Sequence, residues 1–384
     1  MSQAPILFFH SVDQDNLNAQ SNNVKAILAR WDASEIPATA FHFRAPDPLV
    51  AANSNVRLIK LPPNRLWKAK ALAAGLNRYS GVVYPCLSAV LDDRFRQMRR
   101  ALGLGGAVIS TLEGVPADQR NQIIEQERLS ELVGHKVFCQ GIKTPDMAAL
   151  SRVKADSDLL IAISPFLERI ANTIWPDVKT ADIPLGVNVE RFHARDRVPH
   201  GSNKTLKVVS AGNVQQHKRP DVFFELARAH PEVEFMWYGE GKQRHQLQSR
   251  AASEGLFNLV LPGAVDGDSL AAAFRQADIF TLPSVSEGVP KVTQEAAACG
   301  LPVVCMQYYE PFSVRHGVNG YLAEDDTAYA EHIETLIKDA ELRARMGAAG
   351  AEMAEDWNWA HVAKRWQTAI RDTVHRVAAG SSND

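Results

Sequence analysis

Two glutamates stand eight positions apart in the stretch TLPSVSEGVPKVTQEAAACGLPVVC, residues 281–305. Glu287 follows an apolar run typical of a buried strand, and Glu295 falls inside the helical pattern that comes next. Two turns of helix would separate the carboxylates by about 12 Å, which is too far for them to share a proton or to act as a retaining glycosidase pair. The spacing suits carboxylates that accept hydrogen bonds from different hydroxyl groups of one long ligand.

The turn between the two glutamates predicts a helix start that can meet an anion. Gly288 and Val289 lie in the turn, and Pro290 fits the first helical position because its missing N–H costs nothing there. The helix then runs from Lys291 and stops before Gly300. A helix start presents free N–H groups and the positive end of the helix dipole, which suits a diphosphate.

The same stretch resembles the E-x7-E signature of the retaining group 1 glycosyltransferases. The likeness includes the Ser-Glu-Gly turn, the second glutamate and the segment CGLPV at 299–303. The resemblance implies that Glu287 faces the donor sugar and that Glu295 holds the nucleotide ribose. It also implies an α/β protein of two Rossmann-like domains facing a central cleft, the GT-B fold, and retention of the anomeric configuration.

Three further segments carry the resemblance. SAGNVQQHKRPDVFFELA (210–227) is similar to a family segment whose Lys and Arg bind the donor diphosphate, and Lys218 occupies the Lys position. Asn213 stands at the Arg position, a departure that makes Arg219 and Lys291 candidates for the missing charge. IPLGVNVERFHARD (183–196) resembles the segment that joins the domains, and WYGEGKQRHQL with NLVLPGAV resembles the cradle of the nucleotide base. The donor-binding residues predicted in this way are Glu295, Arg219, Asn213, Gly212, Gly288, Val289, Pro290, Lys291, Gly239 and Val265, beside the catalytic candidates Glu287 and Lys218.

The N-terminal half resembles the family only in outline. Gln20, Ser21, Asn22 and Asn23 precede a helical pattern, where they either meet a phosphate or an acceptor or simply cap the helix, and both interpretations stay open. Glu113 follows the predicted strand GAVIST, roughly where many relatives carry a histidine. We therefore expect Glu113 to face the acceptor or the sugar and count it among the catalytic candidates.

Basic residues cluster in the same half of the chain. They are Arg65, Lys68, Lys70 and Arg78, followed by Arg94, Arg96, Arg99 and Arg100. Apolar residues interleave the first group, so one interpretation is a peripheral face that meets anionic lipid. An ordinary solvated helix face is the favoured interpretation.

Composition excludes several other classes of function. Lys plus Arg number 42 against 44 Asp plus Glu, a net charge of -2 that argues against a nucleic-acid partner. The four cysteines lack paired spacing, and neither a signal peptide nor a membrane span is evident, so we expect a cytoplasmic protein, with membrane association left open. Three D-x-D segments, at 13–15, 156–158 and 266–268, are interpreted as loop or capping aspartates. We expect no metal and no cofactor.

Short apolar runs alternate with amphipathic stretches along the chain, which predicts parallel sheets covered by helices on both faces. The predicted strands are 5–10, 57–62, 81–87, 106–111, 136–141, 159–164, 206–212, 233–239, 258–264, 278–283, 301–306 and 320–324. So many strands favour two sheets. We predict an N-terminal acceptor domain over 1–185 and a C-terminal donor domain over 186–356. A helix over about 357–377 is predicted to dock back on the N-terminal domain.

Together these features predict a metal-independent retaining glycosyltransferase. Its partners would be a nucleotide diphosphate sugar and an acceptor hydroxyl on a cell-surface glycan, a lipid-linked saccharide or a small-molecule glycoside. A nucleotide-sugar epimerase and a non-catalytic nucleotide-sugar binding protein are the alternatives on the same fold. The sugar, the base and the acceptor are not predicted.

Overall fold

A computed structural model shows two compact units, each built on one sheet. It describes residues 4–15, 19–32, 34–64, 66–84, 89–115, 127, 130–131, 134, 136–138, 147–197 and 205–380. Unit 1 comprises Met1–Gln122, Gly141–Gly186 and Trp359–Asp384, and unit 2 comprises Ile123–Gln140 and Val187–Asn358. The second unit is therefore nearly continuous in sequence, whereas the first recruits the C-terminal end of the chain.

Unit 1 holds a parallel sheet of seven strands in the order β3-β2-β1-β4-β5-β6-β7. The strands are β1 Ile6–Ser11, β2 Ala38–His42, β3 Val56–Lys60, β4 Gly81–Tyr84, β5 Ala107–Leu112, β6 Leu159–Ala162 and β7 Thr180–Asp182. The helices described in this part of the chain are α1 Ala19–Ala29, α2 Pro48–Ala52, α3 Trp67–Gly75, α4 Ala89–Ala101, α5 Met147–Ala155 and α6 Pro165–Ile174. The order reverses between β1 and β4, as in a Rossmann sheet.

Unit 2 repeats this plan with six parallel strands in the order β10-β9-β8-β11-β12-β13. The strands are β8 Lys207–Ala211, β9 Glu234–Tyr238, β10 Leu259–Gly263, β11 Ile279–Leu282, β12 Val303–Met306 and β13 Gly320–Ala323. Its helices are α7 Pro220–Ala229, α8 Arg244–Ser253, α9 Gly267–Gln276, α10 Lys291–Ala298, α11 Asp326–Lys338 and α12 Ala340–Ala354. β11 and β12 are buried along their whole length, which explains why they read as continuous apolar runs.

The C-terminal helix α13, Trp359–Gly380, packs on unit 1 as predicted. The five apolar residues predicted to face the core are all buried: Trp359, Val362, Ala363, Trp366 and Ile370. Gln367 accepts a hydrogen bond from the backbone N–H of Asp32 at 2.9 Å and donates one to the backbone oxygen of Arg30 at 3.0 Å. The tryptophans are therefore packing residues, as their helical spacing indicated.

Three strand assignments differ from the sequence prediction. β2 and β7 were not predicted, because ATAFH has no long apolar run and β7 is a three-residue, half-buried strand at the sheet edge. The predicted strand 136–141 is wrong over the residues described, since Lys136–Phe138 are not in a strand. Phe138 instead packs edge-to-face on Tyr308, with the ring centroids 4.9 Å apart. The remaining predicted strands are present, and the chain has the two Rossmann-like domains of the predicted fold class.

Candidate active site

The candidate site of unit 2 lies where the strand order reverses, between β8 and β11. β8 pairs with β11 in parallel, so the loops that follow both strands leave from the same edge of the sheet. Open parallel sheets bind ligands at this point, because the two loops diverge there and leave a crevice at the carboxyl ends of the strands. Both segments singled out from the sequence follow these two strands.

An ion pair joins the two loops. The Nζ of Lys218 donates to Oε1 of Glu287 at 2.5 Å, and the two side chains are only 13% and 12% exposed. The backbone N–H of Val285 donates to the oxygen of His217 at 2.9 Å, which fixes one loop against the other. No second hydrogen bond of the Glu287 carboxylate is found within the described residues, so its other oxygen is available to a ligand. Two residues predicted independently to act on the donor are thus in direct contact.

Two glycines let the strand ends approach each other closely beside this pair. Gly212 has φ +125°, and a Cβ there would lie 3.3 Å from Cε of Lys218. Gly239 has φ +152°, and a Cβ there would lie 2.1 Å from the backbone oxygen of Gly212. Both positions also favour glycine through their positive φ. The absence of a Cβ at these two glycines therefore leaves room for the Lys218 side chain and for the close approach of the two strand ends.

Glu295 lies on α10 as predicted, but only about one turn past the start of the helix, because Glu287 lies in the non-helical turn before it. The helix begins at Lys291, so Pro290, which the sequence placed at the first helical position, is instead the N-cap residue. Burial raises the pKa of the Glu295 carboxyl above its ordinary value, and nearby Lys291 and Arg191 oppose that shift. No hydrogen bond or ion pair of this side chain is found in the part of the chain that the structure describes. A partly desolvated carboxylate without a hydrogen-bond donor is suited to accept hydrogen bonds from a ligand.

The remaining donor-site candidates lie around these groups in unit 2. Arg219 donates from both terminal nitrogens to Asp326 at 2.6 Å each, and this pairing raises the pKa of Arg219. Asn213 and Val265 are exposed, whereas Gly288, Val289 and Lys291 are half-buried. Asp326 is the first residue of α11. The sequence did not predict its pairing with Arg219, because 107 positions separate the two residues. The positive charge of Arg219 is therefore largely compensated by Asp326.

The N-terminal candidates come together within unit 1. Asn23 donates to Oε2 of Glu113 at 3.5 Å, and Oε1 of the same carboxylate accepts from Thr111, also at 3.5 Å. Ser21 and Asn23 are buried, and Ser21 donates to the backbone oxygen of Ser11 at 2.8 Å. The side chain of Gln20 lies outside the described residues. These contacts connect the start of α1 to the end of β5 around a half-buried glutamate.

The basic residues of unit 1 divide into two groups. Arg96 is buried and pairs with Asp93 at 2.8 Å and with Asp156, while Arg99 is buried and donates to the backbone oxygens of Gly75, Asn77 and Gly105. These two arginines stabilise the unit from inside and cannot meet lipid. Lys68, Lys70, Arg78, Arg94 and Arg100 are exposed, and Arg65 lies outside the described residues.

One aspartate of each D-x-D segment accepts hydrogen bonds from backbone N–H groups, and the other pairs with arginine. Asp13 accepts from the N–H groups of Phe43 and Arg44, Asp158 accepts from that of Val108, and Asp266 caps α9. These bonds agree with the loop and capping interpretation. Among the described residues there is no group of three or more His, Cys, Asp or Glu side chains that could hold a metal ion. No helix in those residues is long and apolar enough to span a bilayer.

Comparison with known structures supports the fold of the whole chain. Sucrose-phosphate synthase from Thermosynechococcus elongatus superposes with a TM-score of 0.75 at 18% identity, over 96% of this chain and 99% of that one. The Anabaena protein HepE, in complex with UDP and glucose, gives a TM-score of 0.68 at 15% identity, over 96% and 99%. The chain thus has the two-domain fold of GT-B glycosyltransferases.

Sequence comparison identifies the C-terminal unit more closely. Residues 193–353 match the family model of glycosyl transferases group 1, so this part of the chain is similar to that family. A GDP-mannose-dependent alpha-(1-6)-phosphatidylinositol monomannoside mannosyltransferase of Mycolicibacterium smegmatis is 29% identical over 55% of this chain. A D-inositol 3-phosphate glycosyltransferase of Paenarthrobacter aurescens is 28% identical over 71% of each chain. The match spans only 61% of the mannosyltransferase's length.

Proposed function

We propose that this protein transfers a glycosyl group from a nucleoside diphosphate sugar to an acceptor hydroxyl, with retention of anomeric configuration and without a metal ion. The observation that carries the proposal is the contact between Lys218 and Glu287 at the strand-order reversal of unit 2. It combines a cation, a carboxylate with one free oxygen, and the start of α10 at one sheet edge. A second carboxylate, Glu295, lies about one turn inside that helix.

The proposed binding mode assigns one ligand group to each of these elements. The diphosphate lies near Lys218 and the start of α10, where an ammonium and the helix dipole meet its charge. The free oxygen of Glu287 accepts a hydroxyl of the donor sugar, and Glu295 accepts the ribose hydroxyls. The pKa of Glu295, raised by burial, fits this assignment, because hydroxyl donors restore the hydrogen bonds that burial removes.

Turnover depends on the charge that grows on the leaving diphosphate. As the glycosidic bond breaks, negative charge increases on the oxygen that departs, and a fixed ammonium stabilises that state more than the bound donor. Lys218 is held by its contacts with Glu287 and Gly212, so little reorganisation is needed during the reaction. This cation and the helix start supply the charge that a metal ion provides in other transferases.

Relatives suggest which donors to test first. The mannosyltransferase named above is described as GDP-mannose-dependent, and HepE has been crystallised with UDP and with UDP-glucose. The acceptor names among the relatives include an inositol phosphate and a phosphatidylinositol mannoside. The two relatives matched by sequence are both named as transferases, so the epimerase and the binding-only alternatives are not favoured. We propose that unit 1 holds the acceptor, with Glu113 facing it.

A donor screen tests the proposal. Thermal shifts would be measured with UDP-, GDP- and ADP-sugars, and each ligand that stabilises the protein would then be assayed for release of the nucleoside diphosphate in the presence of EDTA. We expect one base to be preferred and slow hydrolysis without a divalent ion. Binding without hydrolysis or transfer to any acceptor would favour a binding protein. Activity that is abolished by EDTA and restored by Mn²⁺ would contradict metal independence.

A further inference from the structure

A small cavity with aromatic walls lies in unit 1 and is partly open to solvent. Its volume is about 150 Å³, and Phe9, Phe41, Phe43 and Trp67 are among the residues that line it. Phe9 meets Phe41 edge-to-face at 5.8 Å between centroids, and Phe43 meets Trp67 in the same way at 5.7 Å. A cavity of roughly this size is known to hold one benzene ring. The walls therefore suit a single planar ring.

The cavity lies where a parallel sheet is expected to bind a ligand. Ser11 at the end of β1, residues just past the end of β2, and the start of α4, which follows β4, all contribute to its lining. The strand order of unit 1 reverses between β1 and β4, so this is the switch point of its sheet. The register of β1 against β2 shifts between Leu7 and Ser11, and such irregularities re-aim side chains beside binding sites.

The imidazole of His10, on the wall of the cavity, lacks hydrogen-bond partners. His10 is 2% exposed, and neither of its ring nitrogens has a partner within the described residues. Asp92 is 3% exposed, and no hydrogen bond of its carboxyl group is found among those residues. Buried side-chain polar atoms are nearly always satisfied, so an unsatisfied imidazole on a cavity wall indicates a group that enters from outside.

Burial favours the uncharged form of both groups. Burial lowers the pKa of His10 to about 3, and the nearby ammonium of Lys154 adds to that shift. Burial raises the pKa of Asp92 to about 8, with Lys154 opposing it. A neutral imidazole has one N–H donor and one nitrogen acceptor, and a protonated carboxyl group likewise donates and accepts. Such a pair can satisfy a hydroxyl group but gives no compensation to a buried ion.

We propose that this cavity binds an uncharged aromatic ring bearing a hydroxyl group, a ligand of the phenol class, with the hydroxyl against His10 and Asp92. The ring fills the space between the four aromatic walls. The site is distinct from the donor site of unit 2, and the proposal does not rest on glycosyl transfer.

Ligand titrations on the full chain test the proposal. The indole N–H resonance of Trp67 would be followed by NMR at pH 7 while phenol, toluene or benzoate is added. We expect phenol to shift this resonance with saturation, toluene to bind about tenfold more weakly because it makes no hydrogen bond, and benzoate not to bind. Equal affinities for phenol and toluene, or binding of benzoate as tight as that of phenol, would overturn the proposal.

Two variants locate the bound ring. Ala71 lines the cavity and is 2% exposed, so Ala71→Met fills the space, and phenol binding should be lost. His10→Leu should reverse the preference, with toluene binding more tightly than phenol. Phe257→Ser, at a residue of unit 2 that is 90% exposed, is the matched control and should bind as the wild type does. A folded Ala71→Met protein with unchanged phenol affinity would place the ligand elsewhere and contradict the proposal. If circular dichroism shows that a variant is unfolded, the wild-type ligand comparison decides.

Discussion

The two units share one sheet plan but differ in what they present at the reversal of strand order. In unit 2 the loops after β8 and β11 bring together charged groups, Lys218 and Glu287, within hydrogen-bond distance. In unit 1 the corresponding edge carries an aromatic cavity with two neutral polar groups, His10 and Asp92. The same topology thus presents an ion pair at this edge in one unit and aromatic side chains in the other.

The residues of the loops, and not the order of the strands, make this difference between the two edges. The glycines of unit 2 bring backbone and Lys218 close together, which suits a compact charged group such as a diphosphate. Glu113 of unit 1 lies instead in a network of weak hydrogen bonds with Asn23 and Thr111. We therefore expect substitutions in unit 2 to affect the donor, and substitutions in unit 1 to affect the acceptor.

The largest effect is expected from Lys218→Ala. Removing a fixed cation from the developing charge should lower kcat by about 100- to 1000-fold, with a smaller change in donor affinity. Steady-state kinetics of transfer or donor hydrolysis would measure both. The control is Lys207→Ala, because Lys207 also pairs with a glutamate, at 3.3 Å from Glu234, but lies at the opposite end of β8.

A kcat of Lys218→Ala within about threefold of the wild type would mean that other groups hold the diphosphate. The variant also leaves the carboxylate of Glu287 without its partner. The double variant Lys218→Ala/Glu287→Gln separates the two effects. If kcat recovers there, the loss came from an uncompensated Glu287 and the catalytic assignment of Lys218 is wrong.

A smaller and more selective effect is expected from Glu113→Gln. Loss of a charged hydrogen bond to the acceptor should lower the transfer rate by about tenfold. Donor hydrolysis and nucleotide affinity should be unchanged, because Glu113 belongs to unit 1. Glu168→Gln is the control, since Glu168 is another unit 1 glutamate that accepts a hydrogen bond from a threonine, Thr180. An equal loss of hydrolysis and transfer would remove the distinction between the units.

The smallest effect is expected at Arg219. Its bidentate pair with Asp326 already compensates the guanidinium, so Arg219→Gln should raise the KM for the donor by only about two- to fivefold. Asp326→Asn breaks the same ion pair but leaves the cation, so it should leave KM unchanged or lower it. If the two variants raise KM equally, the ion pair supports the fold and Arg219 does not contact the donor.

Sequence reasoning predicted the two sheets and the donor-site segments. It did not predict which residues contact those segments in the folded protein. β8 and β11 were predicted because burial on both faces produces continuous apolar runs. α10 was predicted because Pro290 is typical of a helix start and Gly300 of a helix end. β2 was not predicted, since its sequence ATAFH contains no long apolar run. Residues such as Asp326, His10 and Asp92 acquire their surroundings only through tertiary packing, which no local pattern encodes.

The most direct test of the account is a crossed titration of two variants with two ligands. Isothermal calorimetry would measure the affinity of the preferred nucleoside diphosphate, and of the corresponding nucleotide sugar, for the wild type, Glu287→Gln and Glu295→Gln. The variants keep the side-chain size and remove only the charge of each carboxylate. We predict that Glu295→Gln weakens both ligands by about tenfold, because both contain the ribose. We predict that Glu287→Gln weakens the nucleotide sugar and leaves the nucleoside diphosphate unchanged. Equal effects of the two variants on both ligands, or no effect of Glu295→Gln on the nucleoside diphosphate, would contradict the assignment of sugar and ribose in unit 2.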